Sequence, residues 1–482
     1  MVSAMSPSRT FAGLVLLFWG PCVAAAPPPS PSLLSPDDVA RIEAALQTAP
    51  DQGFGPDAFG LAQAETDLKS PDPARREVGK GELTEAAIAY AAAEHGQRLP
   101  EAAYAEDWTI RPDPYDARAD FTAAQAQGRL AAWLASLPPA DPSYPQLVEA
   151  LKHYRAIAAQ GGWPHVPAPS KPGEAGPAVA ALRARLAAED PAAGDGTRYD
   201  DALKAAVARA QARFGLEADG IAGASLVAAL NVTAEERTLQ IVANLERRRW
   251  MPRTTAPLRA EINIADASLA YYEPGQAPLV MRAVVGRPTK RTPMLVDHIQ
   301  AVVLNPPWNV PNDIARKEIW PKIHANAGYM ARQHYVVRKG GGLQQLPGPK
   351  SALGRIKFNL TNPYDIYLHD TPEKKLFAKD ERMLSHGCMR VEQPDALARR
   401  VLESEQQWDA DSLDAAIAKG RTVWIPVEVQ PAVYVAYWTV LPAADGGVGF
   451  RADAYGWDSA LMQKLGTRQT AEGSAAPKPQ AG

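Results

Sequence analysis

Two short stretches bring together residue types that do chemistry: Tyr364-Asp365-Ile366-Tyr367-Leu368-His369 and Ser385-His386-Gly387-Cys388-Met389-Arg390. A thiol of ordinary pKa is mostly protonated at neutral pH, so a nucleophilic cysteine needs a base or a cation within hydrogen-bond reach. His369 can serve as that base for Cys388. An attacked carbonyl also needs donors for its developing oxyanion, and Gly387 lets the backbone aim the amides of Gly387 and Cys388 at one point. His386, close to the thiol, either adds a donor or holds the loop. Arg390 falls on the same side as Cys388 if the segment is extended, where its guanidinium either grips a substrate carboxylate or makes a structural ion pair. His369, His386 and Cys388 fit no usual cysteine-pair zinc framework, so no metal is expected.

The elements that must position these groups follow from periodicity. Tyr364 to His369 alternates with period two, which puts Ile366 and Leu368 on one face of a strand and Asp365, Tyr367 and His369 on the other. The gap to Cys388 is long enough for the chain to leave that strand, turn and return beside it. Pro394, with Leu397, Val401 and Leu402 on one face, predicts a helix packed behind. Upstream, Asn305-Pro306-Pro307-Trp308-Asn309-Val310-Pro311 and Gly340-Gly341-Gly342 bound a long insertion, read as a glycine-hinged lid over about 308–350.

Export accounts for an isolated thiol. Arg9, the apolar run Phe11 to Trp19 and Val23-Ala24-Ala25-Ala26 predict a signal peptide over 1–26, since the run is short of the ~20 residues a spanning helix needs. No transmembrane segment is expected in the mature chain. Cleavage there removes Cys22 and leaves Cys388 as the one remaining cysteine, which cannot form an internal disulfide. A net charge of -3 gives no reason to expect nucleic acid.

With 482 residues, several domains are expected. A proline-rich linker (27–36) precedes a helical scaffold (37–176), whose frequent prolines predict short helices. A small module (177–232) carries three helices marked by Val179, Leu182, Leu186, by Leu203, Val207, Ala210, Phe214, and by Leu226, Leu230. A connecting helix (233–257) opens on a Thr233–Glu236 capping box, with Leu239, Val242 and Leu245 inward. Strand patterns then run over 258–465, including Thr422 to Val429 and Val433 to Val440, and a polar tail (466–482) reads as disordered.

His369 followed by Ser385-His386-Gly387-Cys388 and an arginine resembles the signature of L,D-transpeptidases with the YkuD-type catalytic domain. Asn305-Pro306, Trp308 with Pro311, Leu346-Pro347-Gly348, Leu353-Gly354 with Lys357 and Phe358, and Tyr367-Leu368-His369-Asp370-Thr371-Pro372 agree in order. Ser351 departs from the asparagine many relatives carry. Val207 to Leu230 resembles a peptidoglycan-binding three-helix repeat through Gln211, Phe214, Gly215, Leu216, Asp219, Gly220 and Gly223.

The resemblance implies a multidomain α+β protein: a mostly β catalytic domain with a lid insertion, preceded by an α-helical scaffold and the small three-helix module. It implies a periplasmic enzyme that uses Cys388 and His369 on peptidoglycan stem peptides. Gly387 and His386 would form or support the oxyanion hole, and Arg390, Tyr367, Ser385 and Trp308 would contact substrate. A tetrapeptide donor and a diaminopimelate acceptor are the implied partners, with glycan contact through 177–232 and no cofactor. The implied histidine orienter is a backbone carbonyl rather than an acidic side chain. Carbapenem acylation of Cys388 is implied too. An L,D-carboxypeptidase or hydrolase of wall-linked peptides on the same fold, and a non-catalytic peptidoglycan-binding protein, are the alternative readings.

Overall fold

The computed structural model describes residues 34–405, 407–443 and 446–466. The expected signal peptide, most of the linker and nearly all of the tail lie outside the described residues. Pro36, assigned to the linker, instead opens the first helix, Pro36–Gln47, under a capping box formed by Ser35 and Asp38. Among the described residues no helix is long and apolar enough to cross a membrane.

Helices come first. Their prolines act mainly at starts, so the expectation of uniformly short helices is corrected by Pro73–Glu94, which runs 22 residues from an Asp72 cap. Gly79 within it is a packing device: a Cβ there would lie 2.7 Å from the backbone nitrogen of Leu68 on the neighbouring helix Leu61–Leu68. This layer has its own core around Leu83, Tyr90, Phe121 and Trp133. Three helices, Pro177–Ala187, Asp201–Arg213 and Ala224–Leu230, enclose a second core around Leu182, Val207 and Leu226. Gln211 clasps the intervening turn, its amide donating to Asp219 at 2.7 Å and its carbonyl accepting from the Gly220 N–H at 2.8 Å.

The helix Ala234–Arg249 carries the expected capping box. It is far more than a connector. Every residue from Gln240 to Trp250 is buried, whereas Leu239 is only half-buried. Arg249 Nε donates to Glu94 at 3.1 Å, Arg248 pairs with Asp141, and Arg247 pairs with Asp458. One turn thus ties the N-terminal helices to the C-terminal end of the chain.

Strands β1 (Arg259–Asn263), β2 (Ser268–Tyr272), β3 (Leu279–Gly286) and β4 (Leu295–Leu304) precede an insertion with β5 (Trp308–Asn309), β6 (Tyr335–Val337) and β7 (Leu343–Gln345). Then come β8 (Ile356–Leu360), β9 (Leu368–His369), β10 (Met383–Ser385), β11 (Met389–Val391), β12 (Val423–Pro426) and β13 (Ala432–Ala436), and a hairpin of β14 (Val440–Pro442) and β15 (Val448–Phe450). Pairing runs β3-β11-β9-β8-β4-β13-β1-β2 and returns from β2 to β3, with β10 added on β3 and β12 on β4. The circuit closes around apolar residues such as Leu269, Met281, Val302, Phe358 and Val435.

Three strand expectations are corrected. Tyr364 to His369 is strand only at β9, because Asp365 adopts a left-handed φ of 55° that turns the chain before the sheet is reached. Val433 to Val440 splits into β13 and β14, and Thr422 to Val429 shortens to β12. Gly340 and Gly341, read as a hinge, make the tight turn of the β6–β7 hairpin, where Arg338 N–H donates to Gly342 O at 2.7 Å. The insertion holds its own small sheet and a core of Val310, Ala315, Ile319, Tyr335 and Leu343.

Candidate active site

Register brings the reactive stretches together. β11 lies parallel to β9 with Arg390 opposite His369, and β9 is antiparallel to β8 with His369 opposite Lys357. Opposed residues share a face, and side chains two apart on a strand share it as well. Arg390, His369 and Lys357 therefore form a row, and Cys388 and Tyr367, two residues back along the chain from Arg390 and His369, form a second row on the same side. Leu368, Met389 and Phe358 alternate to the other face and are buried in the core with Leu397 and Val401 of the helix Pro394–Val401.

His369 is buried, and its Nδ1–H donates to the backbone carbonyl of Asp370 at 2.5 Å. A carbonyl only accepts, so this tautomer leaves Nε2 as the basic nitrogen. Burial, then the Arg390 charge, push the imidazole down to about 3, so it is neutral across the working range. Asp370 is itself clamped. Its carboxylate accepts from the N–H groups of Arg355 at 2.8 Å and Thr371 at 2.7 Å, and from Lys374 Nζ at 2.6 Å. Gly354, with φ +60°, makes room, since a Cβ there would overlap the Asp370 carboxyl. The acidic side chain thus positions a carbonyl and does not touch the imidazole.

Cys388 is half-buried and is the free cysteine of the described residues. Burial pushes its thiol up, partly offset by hydrogen bonds from Tyr367 and by the Lys357 charge. In this resting state the Sγ–H donates to the Asp365 carbonyl at 3.5 Å, and that carbonyl is presented by the left-handed Asp365. The turn is held from below: Asn362 Nδ2 donates to Ile366 O at 2.9 Å, and Asp297 accepts from Asn362 Nδ2 at 2.6 Å.

The loop before the thiol is built largely by Ser385. Its hydroxyl donates to Cys388 O at 2.6 Å and accepts from the Gly387 N–H at 3.1 Å, while Thr292 Oγ1 donates to Gly387 O at 2.6 Å. Two expectations change as a result. Ser385 is buried and spends its hydroxyl on the loop, not on a substrate. The Gly387 N–H is committed, which leaves the Cys388 N–H, with no acceptor among the described residues, as the amide available to an oxyanion. Gly387 keeps the strained part, φ +120°.

Around the rim, His386 Nε2 lies 2.6 Å from Glu318 Oε1 and 3.0 Å from Arg287 Nη2. Glu318 belongs to the π-helical turn Ala315–Ile319 of the insertion, so His386 Nε2 is engaged by the insertion. Lys290 Nζ reaches Asp313 at 2.7 Å, a second tie to the same insertion. Trp308 lies within hydrogen-bond reach of the Tyr367 side chain, which also contacts Cys388. Arg390 Nη1 donates to Glu373 at 3.1 Å. Among the described residues no cluster of histidine, cysteine and acidic side chains could hold a metal ion.

Lys357, Asp365, Glu318 and the Asp370 clamp were not singled out as site groups from sequence. Alternation in β8 marks Lys357 as facing away from Ile356 and Phe358, but not what it faces. Thr292 and Glu318 are brought in from far along the chain, and no local pattern signals them.

Comparison with known proteins agrees in domain content. Residues 257–427 match the model of the YkuD L,D-transpeptidase catalytic domain, 31–151 that of a scaffold domain, and 175–230 that described as "Putative peptidoglycan binding domain". A protein of Haemophilus influenzae named "Putative L,D-transpeptidase" is 32% identical over 217 residues, covering 41% of this chain and 44% of the relative's length. An L,D-transpeptidase structure from Xylanimonas cellulosilytica is 16% identical, covering 57% of this chain and 100% of that one, with a TM-score of 0.20. L,D-transpeptidase 3 from Mycobacterium tuberculosis is 15% identical, covering 37% of this chain and 61% of that one, also at 0.20. On the family matches, residues 257–427 are similar to the YkuD L,D-transpeptidase catalytic domain, and the segments before them to a scaffold domain and a peptidoglycan-binding-type domain.

Proposed function

We propose that the chain is a peptidoglycan L,D-transpeptidase that forms 3→3 cross-links through a thioester on Cys388, and that it works outside the cytoplasmic membrane, in the periplasm. The observation that carries this reading is a neutral imidazole, tied through Nδ1 to Asp370 O, on the same sheet face as the one free thiol of the described residues. The thiol turns from Asp365 O toward His369 Nε2, gives up its proton and attacks the carbonyl between the third residue and the terminal D-alanine of a tetrapeptide stem. The sulfur–carbon bond forms and the carbon–nitrogen bond breaks. The departing D-alanine amine takes the proton from the imidazolium. The side-chain amine of a second stem's diaminopimelate then attacks the thioester, forming the cross-link and returning a proton to the sulfur. The Cys388 N–H is the backbone donor to the oxyanion in both steps, a type of contact worth roughly 10²–10³ in rate.

The insertion over about 308–350 acts as the lid, latched by Glu318 on His386 and bringing Trp308 over Tyr367. Arg390, held by Glu373, supports the imidazole row. The 177–232 module contacts glycan. Incubation with purified disaccharide-tetrapeptide, followed by mass spectrometry, should yield a cross-linked dimer and free D-alanine, both lost in Cys388→Ala and both retained under chelation. Carbapenem should leave a covalent adduct on Cys388. Tripeptide without dimer at any acceptor concentration would replace the transferase reading with a carboxypeptidase.

A further inference from the structure

The reactive face carries two cations, and they differ in one respect. Arg390 has a carboxylate partner, Glu373. Lys357 has none: among the described residues no carboxylate lies within ion-pair distance of its Nζ, which sits 4.0 Å from the centre of the Tyr367 ring. Its side chain is half-buried in the middle of a closed sheet, between β4 and β9. An ammonium taken partly out of water and left without an anion is costly unless an anion arrives. The aromatic face gives partial compensation.

The position of Lys357 limits which anion that is. It stands opposite His369 in the register and over the ring of Tyr367, whose side chain contacts the Cys388 sulfur. An anion bound there lies beside the atom under attack. In a peptide cleaved before its last residue, the terminal carboxylate is only three bonds from the scissile carbonyl carbon. No other charged group of the substrate is fixed so near the reacting bond.

We propose that Lys357 is the recognition group for the free C-terminal carboxylate of the donor peptide, so that the enzyme removes one terminal residue and rejects donors whose terminus is amidated or extended. This rests on the acyl-transfer reading above and adds to it the residue that selects the donor's end. The thiolate is the competing partner for the same charge, and the test separates the two.

Binding of tetrapeptide and of its C-terminal amide is measured by calorimetry on the Cys388→Ala protein, with and without Lys357→Met, which keeps an unbranched apolar stem over Tyr367. A charge-assisted contact corresponds to roughly ten- to hundredfold in affinity. The acid should bind about tenfold or more tighter than the amide with lysine present, and equally with methionine, while Lys357→Arg restores the preference. A preference that survives Lys357→Met in this thiol-free background overturns the proposal. The two readings fail separately. A Lys357-dependent carboxylate preference without turnover in the parent would keep this inference and remove the transpeptidase. Turnover whose carboxylate preference ignores Lys357 would do the reverse.

Discussion

At the scale of single residues, the resting site is an uncharged pair. Burial raises the Cys388 thiol, and burial with two flanking cations lowers His369 to about 3. A preformed thiolate–imidazolium pair would react with alkylating agents fully by neutral pH. Here the thiol deprotonates only above its ordinary range, so alkylation of free enzyme by iodoacetamide should climb about tenfold per pH unit through pH 9, with no plateau below pH 7. A plateau there would refute the neutral-pair description. In the acylation proposed above His369 takes the proton during attack; His369→Gln should slow it by roughly 10²–10⁴ while leaving the alkylation limb in place.

At the scale of elements, the insertion and the catalytic loop meet through a few polar ties. Burial alone would raise Glu318, but its bond to His386 and the nearby Arg287 outweigh this and hold its carboxyl below the usual range. A lowered carboxyl keeps its tie above its ordinary titration range and loses it as pH falls through its folded value. Both partners are more than a quarter exposed, so the tie is worth no more than ~1 kcal/mol after solvent screening. Glu318→Gln should therefore leave overall stability nearly unchanged, increase proteolytic nicking within 308–350, and raise KM for the donor more than it lowers kcat. Unchanged nicking at neutral pH would show that the insertion is held by its apolar contacts alone. Alternation and turn residues made the existence of these elements legible from sequence. The shortening of β9 was not, because it depends on one left-handed residue, Asp365, held by Asn362 and the distant Asp297.

At the scale of the whole molecule, the helix Ala234–Arg249 joins the layers. Arg249 and Glu94 are both fully buried; burial would lower the guanidinium's pKa, and Glu94, Tyr144 and Glu246 together outweigh it. Replacing one partner leaves a buried charge alone, typically at a cost of about 3–5 kcal/mol. Arg249→Met should lower the unfolding free energy by an amount of that size and separate the loss of the N-terminal helical layer from unfolding of the sheet. A loss under ~1 kcal/mol would mean that apolar packing, not the arginine, couples the layers. The three consecutive arginines at 247–249 resemble a solvated basic run when read along the chain, and only the acidic groups brought from Glu94, Asp141 and Asp458 make burial tolerable.

Sequence alone pointed to Cys388 and His369 as a pair, and to a helical start, a three-helix module and a β-rich remainder in that order. Those signals are local: Cys388 and His369 sit in short runs, helices and strands follow their own periods, and caps such as Thr233–Glu236 close within one turn. Tertiary structure alone decided that Ser385 serves the loop, that the Gly387 amide is spent, that His386 faces the insertion, and that Lys357 stands unpaired beside Tyr367. Each of these depends on which strand lies next to which. Hydrogen-bond donors and charges find partners by distance in space, and period-two or period-3.6 patterns carry no information about that distance.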